Sequence, residues 1–217
     1  MASNPAPRWQ RLEHDERRRQ ILVVARRLFS ERSYAAVSTS DIAREAGVAR
    51  GLLHHYFGTK RELYLEVVRA LVLMPSNPVP LQSGVGGLEV VISESVDRWL
   101  EMLGRNRGTW LAAVGAQGLG RDVEIEAILD DAREQAVNRL IAAVEPYGAA
   151  GASDELRAVV RAYSGLAEAA SLEWLHRDRL TRGQVHTLLV KSFLNLIRDV
   201  LPAVEGVDAR SARTRTA

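Results

Sequence analysis

The chain of 217 residues is 47% hydrophobic and 26% charged, the balance of an ordinary globular protein, and its length allows one or two domains. It contains no cysteine, which excludes a disulfide framework, thiolate metal sites and a cysteine nucleophile. The net charge of +2 is unevenly placed: residues 1–70 hold 13 Lys/Arg against 8 Asp/Glu, and the remainder holds 16 against 19. A basic first third points to an electrostatic task there, with nucleic acid as the first partner to consider. No apolar run approaches the ~18 residues of a membrane span, and the N-terminus has charge without the apolar segment of a signal peptide, so a cytoplasmic protein is expected.

The hydrophobic pattern is helical throughout. Over residues 15–33, Ile21, Val24, Ala25, Leu28 and Phe29 recur at helical spacing and form one apolar stripe. Arg17, Arg18, Arg19, Arg26 and Arg27 occupy much of the remaining surface. Ser38-Thr39-Ser40-Asp41 offers side-chain oxygens before Ile42, a start signal for a short second helix that Gly47 ends. A third short helix covers about 49–55 and stops at Phe57-Gly58. Thr59 caps a fourth helix with Glu62 as its capping-box partner; Leu63, Val67, Ala70 and Leu71 give it a buried face, and Pro75 ends it.

Residues 75–87, with three prolines and three glycines, read as a linker. Amphipathic stretches follow near 88–103, 107–118, 122–146, 153–177 and 182–200. Nothing alternates with period 2, so the expected fold is all-α with about nine helices. A tail over 205–217, rich in small and polar residues, is expected to be disordered.

Residues 38–63, STSDIAREAGVARGLLHHYFGTKREL, carry the functional information. Two short helices joined by Ala46-Gly47-Val48 form the pattern of a helix-turn-helix, whose second helix enters the DNA major groove. Ala43 is small where the helices cross, Gly47 can take the left-handed turn conformation, and Leu53 plugs the crossing from the second helix.

With these residues in view, 15–68 closely resembles the DNA-binding domain of the tetracycline-repressor (TetR) family of bacterial transcriptional regulators. Ala25 and Phe29, Thr39, Ile42, Ala43, Ala46, Gly47 and Val48, then Leu53, His55-Tyr56-Phe57, Lys60 and Leu63 carry the likeness. The resemblance implies a homodimer with a helical ligand-binding and dimerising domain behind each DNA-binding head. It divides the chain into a flexible basic arm (1–14), a helix-turn-helix domain (15–60), an effector-binding and dimerisation domain (61–204) and the tail. The implied activity is repression relieved by a small hydrophobic or aromatic effector, with no cofactor.

The DNA-contacting set expected is Thr39, Ala49, Arg50, Gly51, Leu52, His54, His55, Tyr56 and Lys60. Arg50, near the start of the recognition helix, can pair with guanine O6 and N7 or with a phosphate. Gly51 lets the backbone lie close to the groove, and Leu52, read as facing out, could meet a thymine methyl. Thr39 and Lys60 are each either a cap or start residue or a phosphate ligand. By resemblance, His55 and Tyr56 contact phosphate or groove. Adjacent His54 and His55 point about 100° apart and cannot easily share a metal ion. Where many relatives carry a small hydroxyl residue and a tyrosine, this chain has Leu52 and His54, so the resemblance does not fix its operator sequence.

Behind the head, Arg98, Trp99, Met102, Trp110, Val114, Gln117, Tyr163 and Trp174 are the expected effector-pocket residues, since tryptophans interleaved with small residues such as Ala112 and Gly115 can leave a cavity. Leu156, Val160, Tyr163, Ala167 and Ala170 on one helix, and Val185, Leu189, Phe193 and Leu196 on the next, form two apolar faces wider than one modest core needs. They are the expected dimer interface. An enzyme is not expected: there is no GxSxG elbow, no P-loop and no histidine–carboxylate constellation.

Overall fold

The computed structural model describes residues 8–72, 87–115, 122–147 and 153–206, with side chains from His14 onward in the first stretch. Among the described residues the fold is all-α: α1 (Arg8–Glu31), α2 (Thr39–Glu45), α3 (Arg50–Phe57), α4 (Lys60–Val72), α5 (Gly87–Arg105), α6 (Arg107–Ala113), α7 (Val123–Val144), α8 (Asp154–Leu175) and α9 (Arg182–Asn195). A five-residue π turn, Leu196–Val200, extends α9, and helical backbone continues to Gly206. The linker read over 75–87 lies outside the described residues except for Gly87, as does the tail beyond Gly206. No described helix is long and apolar enough to cross a membrane.

The chain divides into two compact units, Met1–Met74 with Arg105–Ile128, and Pro75–Gly104 with Leu129–Ala217. In the first unit α4, α6 and the start of α7 group with the helices before residue 60, since α4 and α6 pack on α1.

In the first unit the stripe of α1 does what its spacing predicts. Ile21, Ala25 and Leu28 are fully buried against Ile42, Ala43, Leu53, Leu63 and Val67 of the following helices. Each such large side chain contributes about 1.5–3 kcal/mol by leaving water. α1 begins at Arg8, however, so residues 8–14, expected as a flexible arm, are helical. The apolar stripe starts only at Ile21, which leaves no periodic signal for the earlier turns.

Local capping sets the short helices. Ser38 caps α2: its hydroxyl accepts the Asp41 N–H (3.0 Å), while the Ser38 N–H donates to the Asp41 carboxylate (3.4 Å). The Ser38 hydroxyl, followed by Arg44, holds the Asp41 carboxyl below the usual carboxylate range. The capping box at α4 forms as expected, with the Thr59 N–H donating to Glu62 Oε2 (2.7 Å) and the Glu62 N–H to Thr59 Oγ1 (3.1 Å). Gly47 has φ +63°, the left-handed conformation that the turn between α2 and α3 requires.

α6 reaches α1 through a glycine. A Cβ on Gly108 would lie 2.3 Å from the Ser30 carbonyl oxygen, so only glycine permits this approach. Two hydrogen bonds fix the same contact: Arg26 Nε to Asn106 Oδ1 (2.8 Å) and Ser30 Oγ to the Arg105 carbonyl (3.2 Å). α6 ends at Ala113, earlier than read, because Gly115 turns the backbone at φ +75°.

In the second unit, α5, α7, α8 and α9 surround one core that includes Ile92, Leu100, Val137, Val160, Val185 and Phe193. α5 and α9 run antiparallel, joined by Asp97–Arg182 (2.7 Å) and Glu89–Lys191 (2.8 Å), with His186 Nε2 3.2 Å from Ser93 Oγ between them. Tyr163 meets Phe193 edge-on at 5.0 Å and donates its hydroxyl to the Leu189 carbonyl (3.1 Å).

This core corrects the expected dimer face. Leu156, Val160, Tyr163, Ala170, Val185, Leu189 and Phe193 are all buried within the single chain, and Ala167 and Leu196 are partly buried against the same cluster. Residues of α5 and α7 share this core, so the seven buried side chains are covered within the chain, while Ala167 and Leu196 keep part of their surface exposed.

Gly108→Ala tests the α1–α6 approach. It is expected to lower stability by about 1–3 kcal/mol, the cost of overpacking a close contact. A lower urea midpoint at unchanged slope would show it, and an unchanged midpoint would mean that α6 can move aside.

Candidate nucleic-acid interface

α3 is held from beneath and left open above. Leu53 is fully buried and Phe57 nearly so, while Ala49, Arg50, Gly51, His54 and His55 are exposed. The Val48 N–H donates to the Ala43 carbonyl (3.0 Å) across the turn, and Gln20 Nε2 donates to the Ala46 carbonyl (3.0 Å), tying the turn to α1. The helix is thus held by contacts from α1, α2 and α4.

The start of α3 has the features of an anion-facing helix end. Ala49, the N-cap, offers no side-chain bond to the first N–H groups. Arg50 follows, exposed and without an ion pair among the described contacts, and Gly51 faces open space, with nothing within 4 Å of a built Cβ. The start of α3 thus combines backbone N–H groups without a side-chain cap, the positive helix end and an exposed arginine. Thr39, the first residue of α2, is half-buried.

The other expected contacts differ in availability. Leu52 is half-buried rather than facing out. His54 Nδ1 lies 2.7 Å from the Gly58 carbonyl oxygen, so this ring closes the end of its own helix. Lys60 places its ammonium 4.2 Å from the centre of the Tyr34 ring, a cation–π contact, and burial pushes its pKa below the ordinary lysine range. Phosphate would have to compete with that ring. Among the described residues no group of three His, Cys, Asp or Glu could hold a metal ion.

Two residues of α1 outside the expected contact set, His14 and Arg18, lie against α3; the sequence reading left Arg18 between a solvated face and non-specific phosphate attraction. His14 meets Tyr56 edge-on at 4.4 Å and lies 6.4 Å from His55. Arg18 sits 4.9 Å over the Phe57 ring and pairs with Glu66 (2.6 Å). The signal was available: extended toward the N-terminus at the same helical spacing, the α1 stripe passes through Arg18 and His14.

The expected effector residues do not gather as one set. Trp110, buried, and Val114 belong to the first unit; Gln117 lies outside the described residues. Within the second unit, Tyr163 is in the core and Trp99, Met102 and Trp174 are half-buried. A Cβ on Gly104 would stand 3.3 Å from the Trp174 ring. Arg98 lines an open surface groove with Ser93, Glu94, Asp97 and His186.

Comparison with known proteins agrees with this architecture. Residues 21–67 match the family described as bacterial regulatory proteins, tetR family, and residues 88–196 match the tetracyclin repressor-like, C-terminal domain. The chain is 46% identical over 56 residues to the HTH-type transcriptional regulator BetI of Agrobacterium fabrum, covering 26% of this chain and 27% of that protein. It is 44% identical over 62 residues to the HTH-type transcriptional activator FasR of Mycolicibacterium smegmatis, covering 29% and 28%. These matches thus span little more than a quarter of each curated relative. A tetR-family transcriptional regulator from Streptomyces coelicolor superposes with a TM-score of 0.75 at 27% identity, over 93% of this chain and 89% of that one. The chain belongs to the TetR family of transcriptional regulators, carrying the DNA-binding helix-turn-helix of that family in α2 and α3 rather than an enzyme's active site.

Proposed function

We propose that the chain acts as a homodimeric repressor, binding an inverted-repeat operator through α3 and leaving it when a small hydrophobic or aromatic effector binds. The observation that carries the DNA-reading part is the open, uncapped start of α3, with Arg50 and Gly51 exposed on a helix whose opposite side is buried. Arg50 is the base-reading residue, Gly51 lets the backbone approach, and Thr39, His55 and Tyr56 supply phosphate contacts. Repression is the simplest sense of control, because occupancy of an operator is enough to exclude polymerase.

A dimer would present two recognition helices about one DNA turn, roughly 34 Å, apart. The face that supports dimerisation is the outer side of α8 and α9, not the buried one expected from sequence. Ala158, Ala162, Gly165, Leu166 and Ala169 follow one another at helical spacing and are exposed, with Leu188 exposed on α9. Small residues permit close helix approach, and Leu166 and Leu188 are large side chains left in water by the single chain. The effector reading is supported by the half-buried Trp99, Met102 and Trp174 of the second unit. A 100-fold preference of the effector for the form that does not bind DNA would shift the balance by about 2.7 kcal/mol.

Selection of bound DNA from a random pool is expected to enrich an inverted repeat, and Arg50→Ala to lose preference at one position of each half-site. Gly51→Ala separates the roles of that residue. Alanine stabilises a helix interior by up to about 1 kcal/mol, so thermal stability should rise while operator affinity falls. A rise in both would remove Gly51 from the interface.

Light scattering is expected to report about twice the 24.0 kDa chain mass. Gly165→Glu, at an exposed position where a Cβ would meet nothing within 4 Å of its own chain, should give a folded monomer. A parent chain that is already monomeric would end the dimer reading. Finally, an apolar effector in the second unit should quench tryptophan fluorescence and lower operator affinity in parallel, and Trp174→Phe should weaken both responses; quenching without release would sink the induction mechanism.

A further inference from the structure

His54 follows Arg50 by four residues and Gly51 by three, so the three share one sector of α3, and all are exposed. Its ring is tied to the residue that ends the helix by two reciprocal bonds. The Gly58 N–H donates to the His54 carbonyl (2.9 Å), and His54 Nδ1 lies 2.7 Å from the Gly58 carbonyl oxygen. Gly58 holds φ +67° and ψ −103°, a backbone conformation open to glycine, and so brings its carbonyl within reach of the ring. A carbonyl oxygen only accepts, so the proton at this contact belongs to Nδ1. In the neutral ring Nε2 then carries a lone pair and no hydrogen. Nε2 points away from that bond, and among the described contacts no hydrogen bond reaches it. The helix end, rather than any neighbouring side chain, fixes the polarity of this ring.

We propose that His54 is a second base-reading residue, whose Nε2 accepts a hydrogen bond from the exocyclic amine of an adenine or a cytosine in the major groove. The assignment deepens the DNA-reading role of α3 and rests on it. Polarity decides the occupant. Phosphate oxygens only accept, and a neutral ring clamped in this tautomer has no proton to offer them. Among base edges in the major groove, adenine N6 and cytosine N4 donate, while guanine O6 and N7, adenine N7 and thymine O4 accept. A fixed acceptor on the exposed sector of α3 is therefore satisfied by an amino base and opposed by a keto base. Arg50 only donates, so its preference is the reverse. The two residues lie about 6 Å apart along the helix axis, more than the roughly 3.4 Å of one base-pair step, so they address different base pairs.

The tautomer is read first, in the full-length protein without DNA, by long-range proton–nitrogen NMR on isotope-labelled histidine at neutral pH, with the His54→Phe spectrum identifying the signal. A protonated Nδ1 beside a bare Nε2 is expected. An Nε2–H tautomer, or a ring protonated at both nitrogens, would overturn the proposal. Selection of bound DNA by the parent and by His54→Phe, which keeps a ring and lacks the nitrogens, then locates the base that His54 reads. The parent is expected to prefer adenine or cytosine at one position of each half-site. The variant should lose that preference and keep the position read by Arg50. Methylating the exocyclic amine of that base removes the groove-facing N–H and leaves the pairing intact. It should weaken parent binding roughly three- to tenfold and leave His54→Phe unaffected. A His54-dependent preference for guanine or thymine would sink the assignment, as would equal sensitivity of parent and variant to the methyl group. A ring that only closes the helix end would lower the melting temperature when replaced and leave the selected sequence unchanged, which also counts against base reading. A parent chain that selects no operator would instead remove the DNA-binding reading of α3, and this assignment with it, whatever the tautomer.

Discussion

A recognition helix of eight residues cannot hold its own shape in water, since isolated helices shorter than about 12–15 residues are marginal. The head of this protein is organised around that constraint. Leu53 and Phe57 anchor α3 from beneath, Gly47 sets the turn before it, and α1 spans the far side with Ile21, Ala25 and Leu28. The burial that makes α3 rigid also decides which of its residues remain outside. Stability and DNA reading are therefore opposite faces of one packing arrangement, and a loose core would blur the position of Arg50.

Charge in the head is governed by pairing more than by count. Arg18 meets Glu66, Arg19 meets Glu16, Arg27 meets Glu31 and Glu45, Arg44 meets Asp41, and Arg61 meets Asp122 and Glu124. These surface pairs are individually worth little to stability, at most about 1 kcal/mol each. Their larger effect is on where charge is left open: Arg50 is exposed at the start of α3 and makes no ion pair among the described contacts. The first-third charge balance indicated the right partner class, but the distribution of ion pairs shows where the positive potential is available.

The second unit follows a different logic, in which helix faces compete for one interior. α8 carries two plausible faces, one of large residues and one of small ones, and α9 carries a large apolar face with Leu188 outside it. α5 and α7 take up the large face, as the burial of Val160, Val185 and Phe193 shows, and leave Ala162, Gly165 and Leu166 outside. Periodicity marks a face that wants burial; it does not say whether the burying surface comes from the same chain or from another. For that reason seven of the nine residues expected at an interface, Ala167 and Leu196 excepted, are buried within the chain itself.

What was legible in the sequence was whatever short-range chemistry controls. The all-α class came from 3.6-residue periodicity, the turn at Gly47 from the conformational freedom of glycine, the start of α4 from the reciprocal Thr59–Glu62 cap, and the placement of Leu53 from its spacing. Each depends on residues within a few positions of one another, which any reader of the chain can see together. The tertiary structure alone decided that α1 runs back to Arg8, that His14 stacks on Tyr56, that Lys60 lies over Tyr34, that Gly108 admits the carbonyl of Ser30, and that the large faces of α8 and α9 turn inward. These contacts join residues tens of positions apart, and their energies depend on what else occupies the same space, which a linear pattern does not record.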